Sequence, residues 1–349
     1  MHGSNSIATN LIAVSQTKDP RLGWNLYQFP ACGLFDTWDK GDQPHTGFSN
    51  RWIVVNSLCT EQNGTTGIGL VVFNKRNLYI GKSLTLNENW FEFADPFDGR
   101  SDNPVNTYNS TNRQYLTHAD IDPSGFATIT YSYLTGFVRR PVLFSSVETV
   151  TTGFEAAPAE GTLVPAVSAP GCSGCMQAWS NSWIHSSGLF SSHGRGPWII
   201  SSVVMGDPRH VNATQVISVA TNISTHRSVA SRLTKNQDGT GPMASEIAMP
   251  LKRSVSEDEA LVVYDDSEST FYPGLKAVLW NLENNTLSDE VILQQGSLTP
   301  IGFNRGRWVD FIDAISPIPG TSRLVVAGSL AASSAIDPEH ATYWAQVSP

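Results

Sequence analysis

Three observations predict an all-β fold for this chain. Its apolar residues gather in short runs rich in Val, Ile, Phe, Tyr and Trp, and those runs end at Gly, Pro, Asn or Asp. Few windows keep the i, i+3, i+4 spacing of an amphipathic helix without a Gly, a Pro or a β-branched run breaking it. No helical stretch of ten or more residues alternates with the apolar runs, which excludes a parallel sheet built from strand–helix–strand units.

The strands follow in order. "NLIAVSQT" (10–17) runs into Lys18-Asp19-Pro20, a turn signal, and "RWIVVNSL" (51–58) begins after Ser49-Asn50. "IGLVVFNKRNLYIG" (68–81) reads as one long strand region closed by Gly81. "FATITYSYL" (126–134) starts beyond Asp122-Pro123-Ser124-Gly125, which reads as a type I turn and lacks the length and distal Glu of a calcium loop. "RPVLFSSVETV" (140–150), "PWIISSVVM" (197–205) and "TQVISVAT" (214–221) come next. "ALVVYDD" (260–266), "LKAVLWNL" (275–282) and "RLVVAGSL" (323–330) complete the set.

Five of these runs carry a central apolar triplet after a turn, near Trp52, Ile129, Trp198, Val262 and Leu324, with gaps of 77, 69, 64 and 62 residues. A unit of that length holds four short strands and their loops. One such sheet cannot bury both faces by itself, so neighbours must stack on it, and radial stacking gives a β-propeller. The expectation is a single propeller domain over residues 1–349, with five to seven four-stranded blades and six as the favoured count. A sandwich fits five similar units poorly, and a β-helix needs much shorter repeats.

The chain has 349 residues, 40% hydrophobic and 15% charged, with a net charge of −9. No Lys/Arg stripe tracks a phosphate backbone, so nucleic acid and anionic membrane surfaces are not expected partners. No apolar run is long enough for a transmembrane segment. The start, "MHGSNSIATN", lacks the regions of a signal peptide and reads as an expression remnant or a start inside a longer precursor. Sequons at Asn63, Asn109, Asn212, Asn222 and Asn284 mark glycosylation candidates, and four cysteines allow three pairings. Together they point to a secreted or cell-surface protein. Cys172 and Cys175 have zinc-knuckle spacing without a matching second pair, since Cys32 and Cys59 stand singly. A disulfide is expected, either a local loop or Cys32 with Cys59, and no metal.

Four stretches resemble the secreted propellers related to sialidase-type BNR/Asp-box repeat proteins. They are "IAVSQTKDPRLGWNLYQF", "DQPHTGFSNRWIVVNSL", "ALVVYDDSESTFYPGLKAV" and "GRWVDFIDAISPIPG". Ser15 to Asp19 with Gly23-Trp24 is a degenerate Asp box, a structural turn. Gln43 stands where the group has Tyr, and Val309 and Phe311 where it has Gly and Tyr. The segment that usually precedes the first stretch is missing, so the resemblance implies a first blade that begins at an inner or middle strand. Sialidase chemistry needs three arginines, a Tyr nucleophile and a partner Glu. Arg51, Arg113, Arg139, Arg140 and Arg307 suffice in number, but the sequence nominates no Tyr–Glu pair and lacks the group's Arg-Ile-Pro stretch.

The polar residues at the starts of blades are the candidate site. Asp42, His45, His118, Asp120, His185, Arg307 and Asp310 stand just before or on the expected inner strands and could meet at one channel mouth. There, paired carboxylates would serve as acid and base in glycoside hydrolysis, or a His with Tyr and Arg would abstract a proton beside a uronate. Packing between blades is the plainer role, above all for Arg307 and Asp310. Trp38, Trp183 and Trp308 are candidate sugar-stacking residues. The function this predicts is a ligand-binding or interaction module, with glycans or another extracellular chain as partner and no cofactor. A carbohydrate-active hydrolase or lyase is the first rival, and a structural subunit of an extracellular assembly the second.

Overall fold

The protein is described by a computed structural model covering residues 8–32, 40–60, 66–94, 103–108, 111–157, 166–177, 184–192, 196–248, 259–297, 314–317, 323–330 and 341–347. The fold is all-β, and the only helix among the described residues has five residues. Two compact units divide the chain. The first comprises 1–118 with 130–149, and the second 119–129 with 150–349.

The first unit opens with a hairpin of β1 (Thr9–Ser15) and β2 (Trp24–Pro30). Its turn is the degenerate Asp box. Ser15 Oγ donates to the Thr17 carbonyl, Gln16 N to the Gly23 carbonyl, and Trp24 Nε1 to the Pro20 carbonyl. An antiparallel sheet follows, in the order β3 (Lys40–Phe48), β4 (Trp52–Thr60), β5 (Thr66–Asn74), β6 (Trp90–Ala94). Beyond it come two short strands, β7 (Asn103–Pro104) and β8 (Asn106–Thr107); β8 lies parallel to β3. The next group, ordered β7, β9 (Gln114–Ile121), β10 (Phe126–Phe137), β11 (Arg140–Glu155), has segments in both units.

Continuous apolar runs have a packing cause here. Trp52 and Val54 of β4, with Leu70 and Val72 of β5, enter a core with Leu116 and Leu134. Val55, Val71 and Phe73, their neighbours on the opposite face, join a second core with Val14, Tyr27 and Phe29. Because both faces are buried, apolar side chains fill successive positions at 52–55 and 70–73, and the alternation of a half-exposed strand is absent there; Asn56 and Ser57 follow as buried polar residues.

The second unit contains a hairpin, β12 (Ala166–Ala169) with β13 (Cys172–Gln177). A meander of β14 (Ile184–Ser192), β15 (Gly196–Gly206), β16 (Thr214–Asn222) and β17 (Arg227–Thr234) comes next. Another is formed by β18 (Gly241–Ala248), β19 (Glu259–Glu268) and β20 (Phe271–Asn281), with β21 (Thr286–Leu287) and β22 (Val291–Gln294) both on β20. The last is β23 (Ala314–Pro317), β24 (Leu324–Leu330) and β25 (Ala341–Val347).

Trp52, Trp198, Val262 and Leu324 lie on the second of consecutive strands in their groups, β4, β15, β19 and β24, whereas Ile129 lies on β10, the third strand of its group. All five are buried. Their positions along the strand differ, since Trp52 and Leu324 open theirs whereas Val262 is fourth in β19. The segment 68–81 is not one strand. It ends at Asn74, whose side chain accepts from Asn77 N at 3.4 Å and caps the helix α1 (Lys75–Tyr79). Leu78 of α1 packs into the second core, and its carbonyl accepts from Tyr27 Oη at 2.7 Å.

Two local devices fix the loops. Cys32, just after β2, is disulfide-bonded to Cys59 of β4, with Cα atoms 5.8 Å apart. Gly69 on β5 makes room for it, because a Cβ there would meet the Cys32 carbonyl oxygen at 2.8 Å. Asp-Pro-Arg occurs at 19–21 and again at 207–209, and both copies fold alike. In each, Asp Oδ1 accepts from the Arg backbone N–H and Nε, while Oδ2 accepts from Nη2. Asp19 is partly exposed, whereas the Asp207 side chain is fully buried and also accepts from Thr234 Oγ1 at 2.8 Å. Burial pushes the Asp207 carboxyl up, but the bonds from Arg209 and Thr234 outweigh it and hold it at about 2.

Two outcomes are expected. Cys59→Ser should lower stability by about 2–5 kcal/mol, seen as a lower Tm than wild type under non-reducing conditions. Asp207, with its depressed pKa, stabilises the fold above its ordinary titration range and loses that contribution as pH falls through about 2. An Asp207→Asn variant should therefore lose roughly 2 kcal/mol less than wild type between neutral and strongly acid pH in denaturant titrations.

Candidate functional site

The sequence-predicted residues occupy varied places. Asp42 and His45 lie on β3, on either side of a register shift against β4. His45 is 9% exposed, its backbone N–H donates to Asn56 Oδ1, and burial holds its imidazole down at about 4. His118 on β9 is also buried, at 6%. Both imidazoles are buried side chains on strands. Asp120, half-buried, accepts from the Ile121 N–H at 2.7 Å. His185 sits on β14, and the side chains of Asp42 and His185 lie outside the described residues, as do Arg307, Asp310, Trp38, Trp183 and Trp308. Cys172 and Cys175 lie on β13, with side chains outside the description. Asn63 and Asn109 fall outside it too. Asn212 and Asn284 are exposed, whereas Asn222 is 3% exposed with its Oδ1 accepting from Ser224 N and Thr225 N, which places that sequon's acceptor inside the protein.

In the second unit, side chains outside the candidate set gather around Lys276. The β19–β20 register sets Tyr264 opposite Lys276, and Asp266 is two residues along on the same face. A bulge follows Asp266 and re-aims Glu268. The pairing of β22 with β20 brings Glu290 alongside, and Lys235 enters just past the end of β17. Lys276 Nζ lies 2.6 Å from Asp266 Oδ2, 2.9 Å from Glu268 Oε1 and 3.0 Å from Glu290 Oε1, with the Phe271 ring 4.0 Å away. Lys235 Nζ is 3.3 Å from Asp266 Oδ2 and also pairs with Glu290, to which Tyr264 donates its phenolic proton.

Burial dominates the electrostatics. It raises the fully buried Asp266 carboxyl against the pull of Lys235 and Lys276. Burial opposes the charged form of Lys276 as well, but Asp266, Glu268 and Glu290 outweigh it and raise its pKa, so the ammonium is retained. Glu290 is held below its ordinary value because bonds from Lys235, Tyr264 and Lys276 overcome desolvation. Burial and then Glu290 push the Tyr264 phenol well up, leaving it a neutral donor and a poor nucleophile. A glycosidase needs room for a sugar oxygen or water between two carboxyls roughly 5–9.5 Å apart. Here that space holds Lys276 Nζ. The cluster is a buried ion-paired lock centred on Lys276, in which Asp266 is held through Oδ2 alone.

A second arrangement, in the first unit, faces solvent. On β9–β11 the rings of Tyr115 and Tyr133 are 5.8 Å apart, and Phe144 stacks on Tyr133 at 5.2 Å with a 26° tilt. Arg113 caps this ladder, with its guanidinium 4.6 Å from the Tyr133 ring. Leu134 and Leu143 turn inward to the core, so Tyr133, Phe137, Val142 and Phe144 share the outer face. Phe137 is 80% exposed, Val142 48% and Phe144 45%. The period-2 spacing in "YSYLTGFVRRPVLF" carries this signal in the sequence.

No family model matches the chain, and no curated protein does. Among solved structures it is similar to one described as a glycoside hydrolase, at 11% identity over 89% of this chain and 88% of that one, with a TM-score of 0.37. A thermostable family-43 glycoside hydrolase shares 9% identity over 88% and 89% of the two chains, also at 0.37. Zg3597, a family 117 glycoside hydrolase of Zobellia galactanivorans, shares 9% over 88% and 83%, at 0.35. At these values the likeness assigns no activity.

Lys276→Ala should leave three carboxylates without their shared partner and destabilise the protein by about 3–5 kcal/mol. Part of that loss should be recovered in acid, where protonated carboxyls no longer need the ammonium. Denaturant melts of wild type and variant at neutral and acid pH measure both.

Proposed function

We propose that this chain is an extracytoplasmic β-propeller that binds glycans, as a binding module rather than a hydrolase. The observation that carries this is the exposed pair of rings Phe137 and Phe144, the latter stacked on Tyr133, because planar rings presented to solvent stack on the apolar faces of sugars. The spacing of 62 to 77 residues between the buried strand residues Trp52, Ile129, Trp198, Val262 and Leu324 supports a propeller, since each group is a short antiparallel sheet with two faces to cover. The Cys32–Cys59 disulfide and the accessible sequons at Asn212 and Asn284 favour an oxidising compartment.

Binding is preferred over hydrolysis for two reasons of chemistry. The carboxylates around Lys276 are each paired with its ammonium, which fills the space a sugar oxygen or water would need. His45, neutral at physiological pH with its pKa near 4, is poorly matched to general-base work there. The hydrolase or lyase reading keeps Asp42, Asp120, His185, Arg307 and Asp310 among its candidates.

A glycan array followed by titration calorimetry tests the proposal. Phe137→Ser and Phe144→Ser together should weaken binding by about tenfold, in keeping with the loss of one or two exposed stacking contacts, and leave Tm unchanged. Release of reducing ends or of unsaturated uronate by the wild-type protein would overturn the module reading.

A further inference from the structure

We infer that the aromatic face of β10 and β11 takes an acidic glycan, a chain bearing uronate or sulfate groups. This rests on the glycan-binding reading and adds the ligand's charge and the residues that read it.

The argument is one of charge against background. The chain carries 22 Lys and Arg against 31 Asp and Glu. Yet four arginines surround this one hairpin. Arg139 and Arg140 form its tip, both exposed, and neither side chain has an acidic partner among the described residues. Arg113 stands at the Tyr133 end of the ladder. Arg51 braces the hairpin from beneath by donating Nη1 to the Gly136 carbonyl, and its guanidinium also lies 5.9 Å from the Trp52 ring.

The backbone fixes the tip. Gly136 has φ 96°, and a Cβ there would meet the Arg140 carbonyl oxygen at 2.7 Å. The tight approach therefore holds the two guanidinium-bearing residues beside Phe137. The first acid along β11 is Glu148, four residues beyond Phe144, so the tip itself is purely cationic.

An exposed, unpaired guanidinium beside an exposed ring offers two recognitions at once. The ring stacks on the sugar's C–H face, and the planar fork of donors takes a carboxylate or sulfate in a bidentate grip. A neutral glycan would use the rings alone. A nucleic acid also joins anions to stacking faces, but its denser charge meets a chain of net charge −9. Uronate or sulfate groups spaced along a saccharide suit a small cationic tip better.

The test compares oligogalacturonate, dextran sulfate, neutral dextran and oligothymidylate as ligands of the full chain, by calorimetry at low and physiological salt. One or both acidic glycans should bind more tightly than dextran, and that binding should weaken as salt rises. Arg139→Gln/Arg140→Gln should reduce acidic-glycan affinity about tenfold while Tm and dextran binding stay unchanged, because these side chains hold no structural partner. Equal binding of acidic and neutral glycans would overturn the inference and leave the glycan reading standing. Acidic-glycan binding indifferent to the double substitution would overturn the site. Oligothymidylate binding as tight as that of the acidic glycans, and equally sensitive to the substitutions, would overturn the ligand class. Binding of none of the four would remove both readings.

Discussion

A sheet has two faces, and on β4 and β5 both are covered. From that constraint follow the unbroken apolar runs of β4 and β5, with alternate side chains sent into two separate cores. It also governs what happens to charge. A polar side chain on a doubly covered strand has no water to turn to, and the protein must supply every partner itself. The group around Lys276 is the answer on β19 and β20. Two cations, three acids and a phenol are drawn from four chain segments so that a fully buried aspartate can be tolerated.

That arrangement clarifies what counts as a site. Shifted titration is common to catalytic centres and to structural ion clusters, and the cluster around Lys276 has strongly shifted groups with no room left for a ligand. The β10–β11 face is the reverse case. At its tip Arg139, Arg140 and Phe137 are exposed, and neither guanidinium has an acidic partner among the described residues. Availability, more than perturbation, separates a surface that can recognise something from a core that cannot.

How much was legible in the sequence depended on range. Strands and their punctuation are local, so the runs at 51–58, 126–134 and 260–266 could be read directly, as could the Asp-Pro turns. The helix α1 was hidden because Asn74 reads equally well as a turn within a strand and as a cap. Strand β3, "KGDQPHTGF", was hidden because two glycines and a proline disguise it. The cluster was hidden because it depends on register. Nothing in the sequence says that Tyr264 faces Lys276, although a lone lysine inside "LKAVLWNL" was a signal that some acid must await it. For His45 and His118, sequence gave nearness to strands but could not give burial.

The bond between Cys32 and Cys59 has a consequence for the order in which the first unit can come apart. The β1–β2 hairpin stands at the start of the described chain, where fraying would ordinarily begin. Its trailing end is tied covalently to β4, a strand whose two faces enter two of that unit's cores. Strand β1 can peel, but the hairpin cannot drift away while β4 remains seated. Loss of the terminal ribbon is thereby coupled to rupture of the central strands, and a stepwise erosion becomes a single cooperative event.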